Sequence, residues 1–116
     1  MNKGNFEAWV NRYVSAWRSS DEGEIASLFT RDADYFTTPH RKPWSGREEI
    51  ISGWIGRCDQ PDDWEFDFEV LGVDGPRGFV RGETSYRRAK TRYSNLWVIT
   101  LADNGECREF IEWWME

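Results

Sequence analysis

A chain of 116 residues with a formal net charge of −6 makes one domain. It lacks the basic surface that a nucleic acid or an anionic membrane demands, so neither is expected as a partner. The composition, 39% apolar and 31% charged, is that of a globular protein that folds without a disulfide or a structural metal.

Eight tryptophans, within 16% aromatics, supply either a large core or the walls of a wide cavity, since such rings bury about 150–250 Å² each. One His and two Cys with no CxxC pattern imply no metal site and no cofactor. Cys58 and Cys107 read as reduced thiols of a cytoplasmic protein. The opening "MNKGNFEAWVNRY" is polar from the start and holds no apolar run, so neither a leader nor a membrane span is expected.

Phe6, Trp9, Val10, Tyr13, Ala16 and Trp17 recur at i, i+3, i+4, i+7 spacing and predict an amphipathic helix over 5–19. Asn5 is its candidate N-cap. "SSDEG" ends it and opens a short second helix over 22–29, with Ile25, Leu28 and Phe29 inward. "ADYFTTP", 33–39, reads as a strand stopped by Pro39. After the loop "HRKPW", Ser45 with Glu48 predicts a capping box on a third helix over 46–57.

The period then changes to two. "WEFDFEV" alternates, with Trp64, Phe66, Phe68 and Val70 on one side. "DGPRG" turns, residues 78–88 and 92–102 form two long strands, and "ADNG" predicts a hairpin through Asn104–Gly105. The basic cluster Arg87, Arg88, Lys90 and Arg92 falls on a solvated hairpin tip. "REFIEWWME" is the last strand. Helices followed by antiparallel hairpins predict an α+β fold, with helices on one face of a curved sheet.

"RYVSAWRSSDEGEIASLFTRDADY", "PWSGREEI" and "NLWVITLADNGECREFIEWWME" resemble the nuclear transport factor 2-like, or SnoaL-like, superfamily over nearly the whole chain. That resemblance implies a cone in which a curved, mixed, mostly antiparallel sheet wraps three N-terminal helices around a pocket. It does not fix function, because the superfamily hosts isomerases, cyclases, hydratases, epoxide hydrolases and non-catalytic modules.

Against ketosteroid isomerase, "NRYVSAW" places Tyr13 on the oxyanion-donating tyrosine. The general base of that enzyme falls on Thr38 and its second donor on Trp97, so two of its three groups are replaced. Against limonene epoxide hydrolase, Glu112 falls on one water-holding aspartate, while its arginine and second aspartate fall near Thr84 and Tyr86.

Both comparisons imply that Phe110, Glu112 and Trp114 face the cavity with Thr84, Tyr86 and Trp97. The pleat links the three residues of the last strand, because alternate side chains share a face. The opposite register, with Ile111 and Trp113 inside, is also compatible with the residues.

An inward Glu112 would lose hydration and titrate above the usual carboxylate range, as a general acid or base. Tyr13 would then donate to a carbonyl or enolate oxygen. The alternative is that Glu112 and Tyr13 only satisfy one another inside a packed core.

The expected pocket also takes Trp17 and Trp54 from the helices, although a stripe at helical spacing needs no cause beyond the core. Phe36 and Thr38 come from the first strand, and Trp44 from a proline-stiffened loop. His40 belongs to the loop that the resemblance puts at the pocket mouth, yet beside Arg41 and Lys42 it also reads as a solvated residue.

The expected ligand is a small apolar or aromatic molecule of carbonyl type. A non-catalytic dimerisation or regulatory module with a filled cone is the alternative, and a polyketide-type cyclase or isomerase a third. The outer sheet face, carrying Val98, Ile111 and Trp113 beside Arg81 and Glu83, is expected to form a homodimer.

Overall fold

Three helices lie in the concave face of one six-stranded sheet. The computed structural model of the protein describes all 116 residues. The elements are α1 (Lys3–Ser19), α2 (Glu22–Leu28), β1 (Phe29–Phe36), β2 (Trp44–Ser45), α3 (Arg47–Gly56), β3 (Trp64–Asp74), β4 (Arg77–Tyr86), β5 (Thr91–Leu101) and β6 (Cys107–Met115). The strand order is β2-β1-β6-β5-β4-β3. β1 runs parallel to β6, and every other neighbouring pair is antiparallel. This is the mixed, mostly antiparallel curved sheet of the expected α+β cone. It is open at β2 and β3.

The α1 stripe does what its spacing requires. Phe6, Trp9, Val10, Tyr13 and Ala16 are all buried, and the indole N–H of Trp9 donates to the Leu28 carbonyl at 3.0 Å. The N-cap is Asn2 and not Asn5. Each side chain accepts from the other's backbone N–H, at 3.0 and 2.7 Å, so Asn5 closes a capping box as the N3 residue. Asp21 caps α2.

The predicted Ser45–Glu48 box on α3 does not form. Ser45 pairs with Asp34 across β1 and β2, and its hydroxyl donates to the Asp34 carboxylate at 2.8 Å. The cap position passes to Gly46, at φ 89°, where L side chains are strained. β1 begins at Phe29 rather than Ala33, because Phe29 leaves α2 in extended conformation and pairs at once with Cys107.

β3, β4 and β5 form a meander whose inward parity follows the sequence alternation. A bulge between Val70 and Gly72 and an irregularity between Thr100 and Leu101 bend it. Trp64 of β3 lies flat against Trp17 of α1, with ring centroids 3.7 Å apart, and Arg18 covers its ring at 4.3 Å. On the outer face Arg81 pairs with Glu69, and Arg92 with Glu83, each at 2.9 Å and well exposed. Such pairs add little stability. No helix is long and apolar enough to cross a membrane.

Candidate functional site

Sheet curvature leaves a cavity of about 470 Å³ between the helices and the inward residues of β4, β5 and β6. Register decides what faces it. Glu112 pairs with Trp97 and Ile99 with Phe110 across β5 and β6, and Phe110 is fully buried. With Phe110 inward, alternation turns Glu112 and Trp114 the same way and leaves Ile111 and Trp113 outside.

Glu112 is held by one oxygen only. Its Oε2 accepts from the Asn95 amide at 2.7 Å and from the Trp97 indole N–H at 3.0 Å. The amide is itself aimed by Thr84, whose hydroxyl donates to Asn95 Oδ1 at 2.9 Å. Oε1 has no protein donor, and Glu112 is one of the residues lining the cavity. Burial pushes the carboxyl above its ordinary value, while the Trp97 and Asn95 donors and the charge of Arg57 oppose that rise.

The second polar pole is a pair of phenols. Tyr13 of α1 and Tyr35 of β1 share a hydrogen bond of 2.7 Å, and either can be its donor. Two hydroxyls carry two protons and the shared bond uses one, which leaves a proton for a ligand oxygen. Burial raises both phenols, and the charge of Glu112 adds to the effect. They therefore stay protonated donors at any physiological pH.

The rings of Tyr13 and Tyr35 both stack on Phe110, at 5.4 and 4.5 Å, and Tyr35 also stacks on Trp44 at 5.0 Å. Trp44 in turn lies on Gly53 of α3, where any β-carbon would meet the indole.

A second carboxylate closes the other side. Asp59, half-buried in the loop after α3, accepts on Oδ2 from the Trp17 indole N–H and from the Tyr86 hydroxyl, both at 3.0 Å. Burial and the Asp59 charge raise the Tyr86 phenol. Arg57, at the C-cap of α3, is the one cation of the lining and is exposed. No three His, Cys, Asp or Glu side chains converge where a metal could bind.

Of the residues expected at the pocket, the structure brings Glu112, Tyr13, Trp17 and Trp44 to the cavity. Trp54, Thr84, Tyr86, Trp97 and Trp114 join them. Four expected residues stand elsewhere. Phe110 lies beneath the tyrosine pair with no exposure, as support and not as lining. Phe36 follows the inward Tyr35 on β1, so alternation turns it to the other face. Thr38 lies outside the lining, where Thr37 takes its place, and His40 is exposed in the turn beyond. The Glu112–Tyr13 hydrogen bond considered from sequence does not exist: each group has another partner.

Sequence reading missed Tyr35, Asp59, Tyr93 and Asn95. For Tyr93 and Asn95 a signal was present, since they share strand parity with Trp97. Asp59 had none, because "DQPDD" reads only as a helix breaker.

The family model that describes a SnoaL-like domain matches residues 10–110. No curated protein matches the chain in sequence. Among solved structures, a ketosteroid isomerase-like protein from Erwinia carotovora atroseptica is 16% identical, with a TM-score of 0.70 over 98% of this chain and 96% of that one. An NTF-2 like protein of unknown function from Burkholderia xenovorans reaches a TM-score of 0.77 at 14% identity, over 100% and 87%. A protein of unknown function with a cystatin-like fold from Methylobium petroleophilum reaches 0.76 at 12% identity, over 100% and 79%. At these identities the likeness is one of fold.

Proposed function

Because the chain belongs to the SnoaL-like domain family, we propose that it binds a small, mostly apolar molecule of carbonyl type and exchanges a proton with it through Glu112. The observation that carries this reading is the half-saturated carboxylate. Oε2 is fixed by Asn95 and Trp97, and Oε1 is left for a ligand in a largely aromatic cavity. Burial raises the Glu112 carboxyl above its ordinary value, which makes it a stronger proton acceptor than a solvated carboxylate. The spare phenolic proton of the Tyr13–Tyr35 pair hydrogen-bonds the ligand's oxygen as negative charge develops there.

The cavity volume lies within the range of about 300–1,000 Å³ common to ligand sites, which counts against a filled, purely structural cone. A ketosteroid isomerase mechanism with its base just after β1 is not supported, since Thr38 is no base and lies outside the lining. A cyclase or isomerase of polyketide-like substrates would be a special case of the same proton transfer from Glu112.

The test is an NMR titration with simple aryl ketones in D2O. The expected result is a shift of the Trp97 indole N–H and enzyme-dependent exchange of the ketone's α-protons, abolished in Glu112→Gln. Shifts without exchange would reduce the protein to a binding module. No shift with any ketone would end the reading.

We also assign the outer sheet face to a second copy of this chain. Leu96 and Trp113 are cross-strand partners, 39% and 40% exposed, with Val98 and Ile111 beside them. Two free cysteines support a reducing compartment, the cytoplasm.

A further inference from the structure

Where the cavity is lined by partly exposed rings, Tyr93 stands nearly at a right angle to two neighbours. Tyr93 of β5 is nearly perpendicular to Tyr86 of β4, with centroids 5.9 Å apart at 84°. It is also nearly perpendicular to Trp114 of β6, at 5.6 Å and 82°. None of the three is fully buried. Aromatic faces carry negative potential, so rings set as the walls of a corner attract a cation placed between them.

The charges around the corner reinforce that preference. Tyr86 is tied by its hydroxyl to Asp59, whose Oδ1 has no hydrogen-bond donor. Glu112 likewise keeps a free oxygen deeper in the same cavity. Asp59 and Glu112 thus each keep one oxygen without a protein donor, and both line a cavity with nine aromatic residues among its eighteen lining residues. The opposing charges, Arg57 and those of the hairpin beside Ala89 and Thr91, are exposed. On that hairpin Arg87 is paired with Glu65, Arg88 with Asp62 and Asp63, and Arg92 with Glu83, while Lys90 stands in solvent. Asp59, by contrast, is half-buried and held in place by two donors. The chain's net charge of −6 adds a weak attraction of the same sign.

We infer that the cavity mouth is an aromatic cage for an organic cation, so that the carbonyl-type ligand also carries an amine or quaternary ammonium group at its outer end, with its apolar body extending inward toward Trp97. Tyr86, Tyr93 and Trp114 form the cage walls, and Asp59 supplies the counter-charge. This rests on the cavity being a ligand site, and it names the class of molecule that the site takes.

The experiment compares three molecules that share one benzyl body: benzyltrimethylammonium, its uncharged carbon isostere neopentylbenzene, and phenylacetate. Binding to the full chain is read from indole N–H shifts at low salt. The expected result is that the ammonium compound binds about ten-fold or more tightly than the isostere and that phenylacetate binds most weakly. Tyr93→Leu and Asp59→Asn should each remove most of the difference between cation and isostere; because Tyr93 is partly exposed, its variant serves if Asp59→Asn unfolds.

Equal binding of cation and isostere overturns the cage while leaving the ligand cavity intact. Tightest binding by phenylacetate overturns it and gives the mouth to Arg57. Failure of all three to bind overturns the cage, and the ketone titration above then decides separately whether the cavity takes a ligand at all.

Discussion

Two glycines of α3 should respond in opposite directions to the same substitution. Alanine in a helix interior is favoured over glycine by about 1 kcal/mol; Gly56, the last residue of α3, gains part of that preference, and nothing lies within 4 Å of the added β-carbon. Gly56→Ala should therefore stabilise the protein. At Gly53 the new carbon would stand 2.7 Å from Cδ2 and Cζ2 of Trp44, against an ordinary carbon contact of about 3.5–4.0 Å. The indole must retreat by roughly 1 Å, and overpacking of this kind costs about 1–3 kcal/mol. Retreat also lifts Trp44 from Tyr35, where it is stacked at 5.0 Å and 18°, an arrangement worth about 0.5–1.5 kcal/mol. Cost outweighs propensity, and the net loss should be about 2 kcal/mol, or a fall in Tm of about 6–12 °C. Urea unfolding at unchanged m-value gives the difference directly. Ligand affinity should fall with it, because Trp44 lines the cavity. If Gly53→Ala stabilised the protein as Gly56→Ala does, Trp44 would not rest on this helix and the cavity wall described here would be wrong.

Removing either phenol of the Tyr13–Tyr35 pair strands its partner in a buried site, so each single Phe substitution should cost about 1–3 kcal/mol. The double variant should be no less stable than either single one, a non-additivity that a denaturation cycle reads directly. Burial holds the Glu112 carboxyl above its unfolded value. The fold thus favours its protonated form, whose contribution is whole below the unfolded value of about 4.3 and is lost as pH rises through the folded value. Glu112→Gln should accordingly gain stability over wild type as pH goes from about 4 to 9 in thermal melts; a constant offset at every pH would contradict the burial. Sedimentation should find a dimer that Trp113→Glu dissociates, and a wild-type monomer would remove the outer face from consideration.

Most of the architecture was legible because its causes are local. The Phe6–Trp17 stripe, the alternation from Trp64 to Val70 and the Asn104–Gly105 turn each act within a few residues. The misplaced features depend on partners far away in sequence. Ser45 failed as a cap because β1 offered it Asp34, and β1 started early because Cys107 was there to pair with Phe29.

The site divides in the same way. Parity brought Glu112, Trp97, Thr84 and Tyr86 to one face. Phe110 obeyed the parity too, yet the tyrosines of α1 and β1 cover it, which no period can reveal. Asp59 became a site residue only when the loop after α3 met Trp17 and Tyr86.

The strand order β2-β1-β6-β5-β4-β3 has a kinetic corollary. The meander from β3 to β6 can zip through successive hairpins, which are local and fast. β1 gains its main partner only when β6 docks beside it, a pairing between strands from opposite ends of the chain that carries a large loop-closure cost. Tyr35 stands on β1 and Glu112 on β6, so the two poles of the cavity meet only in that step. A refolding chain should acquire most of its sheet before it can hold a ligand.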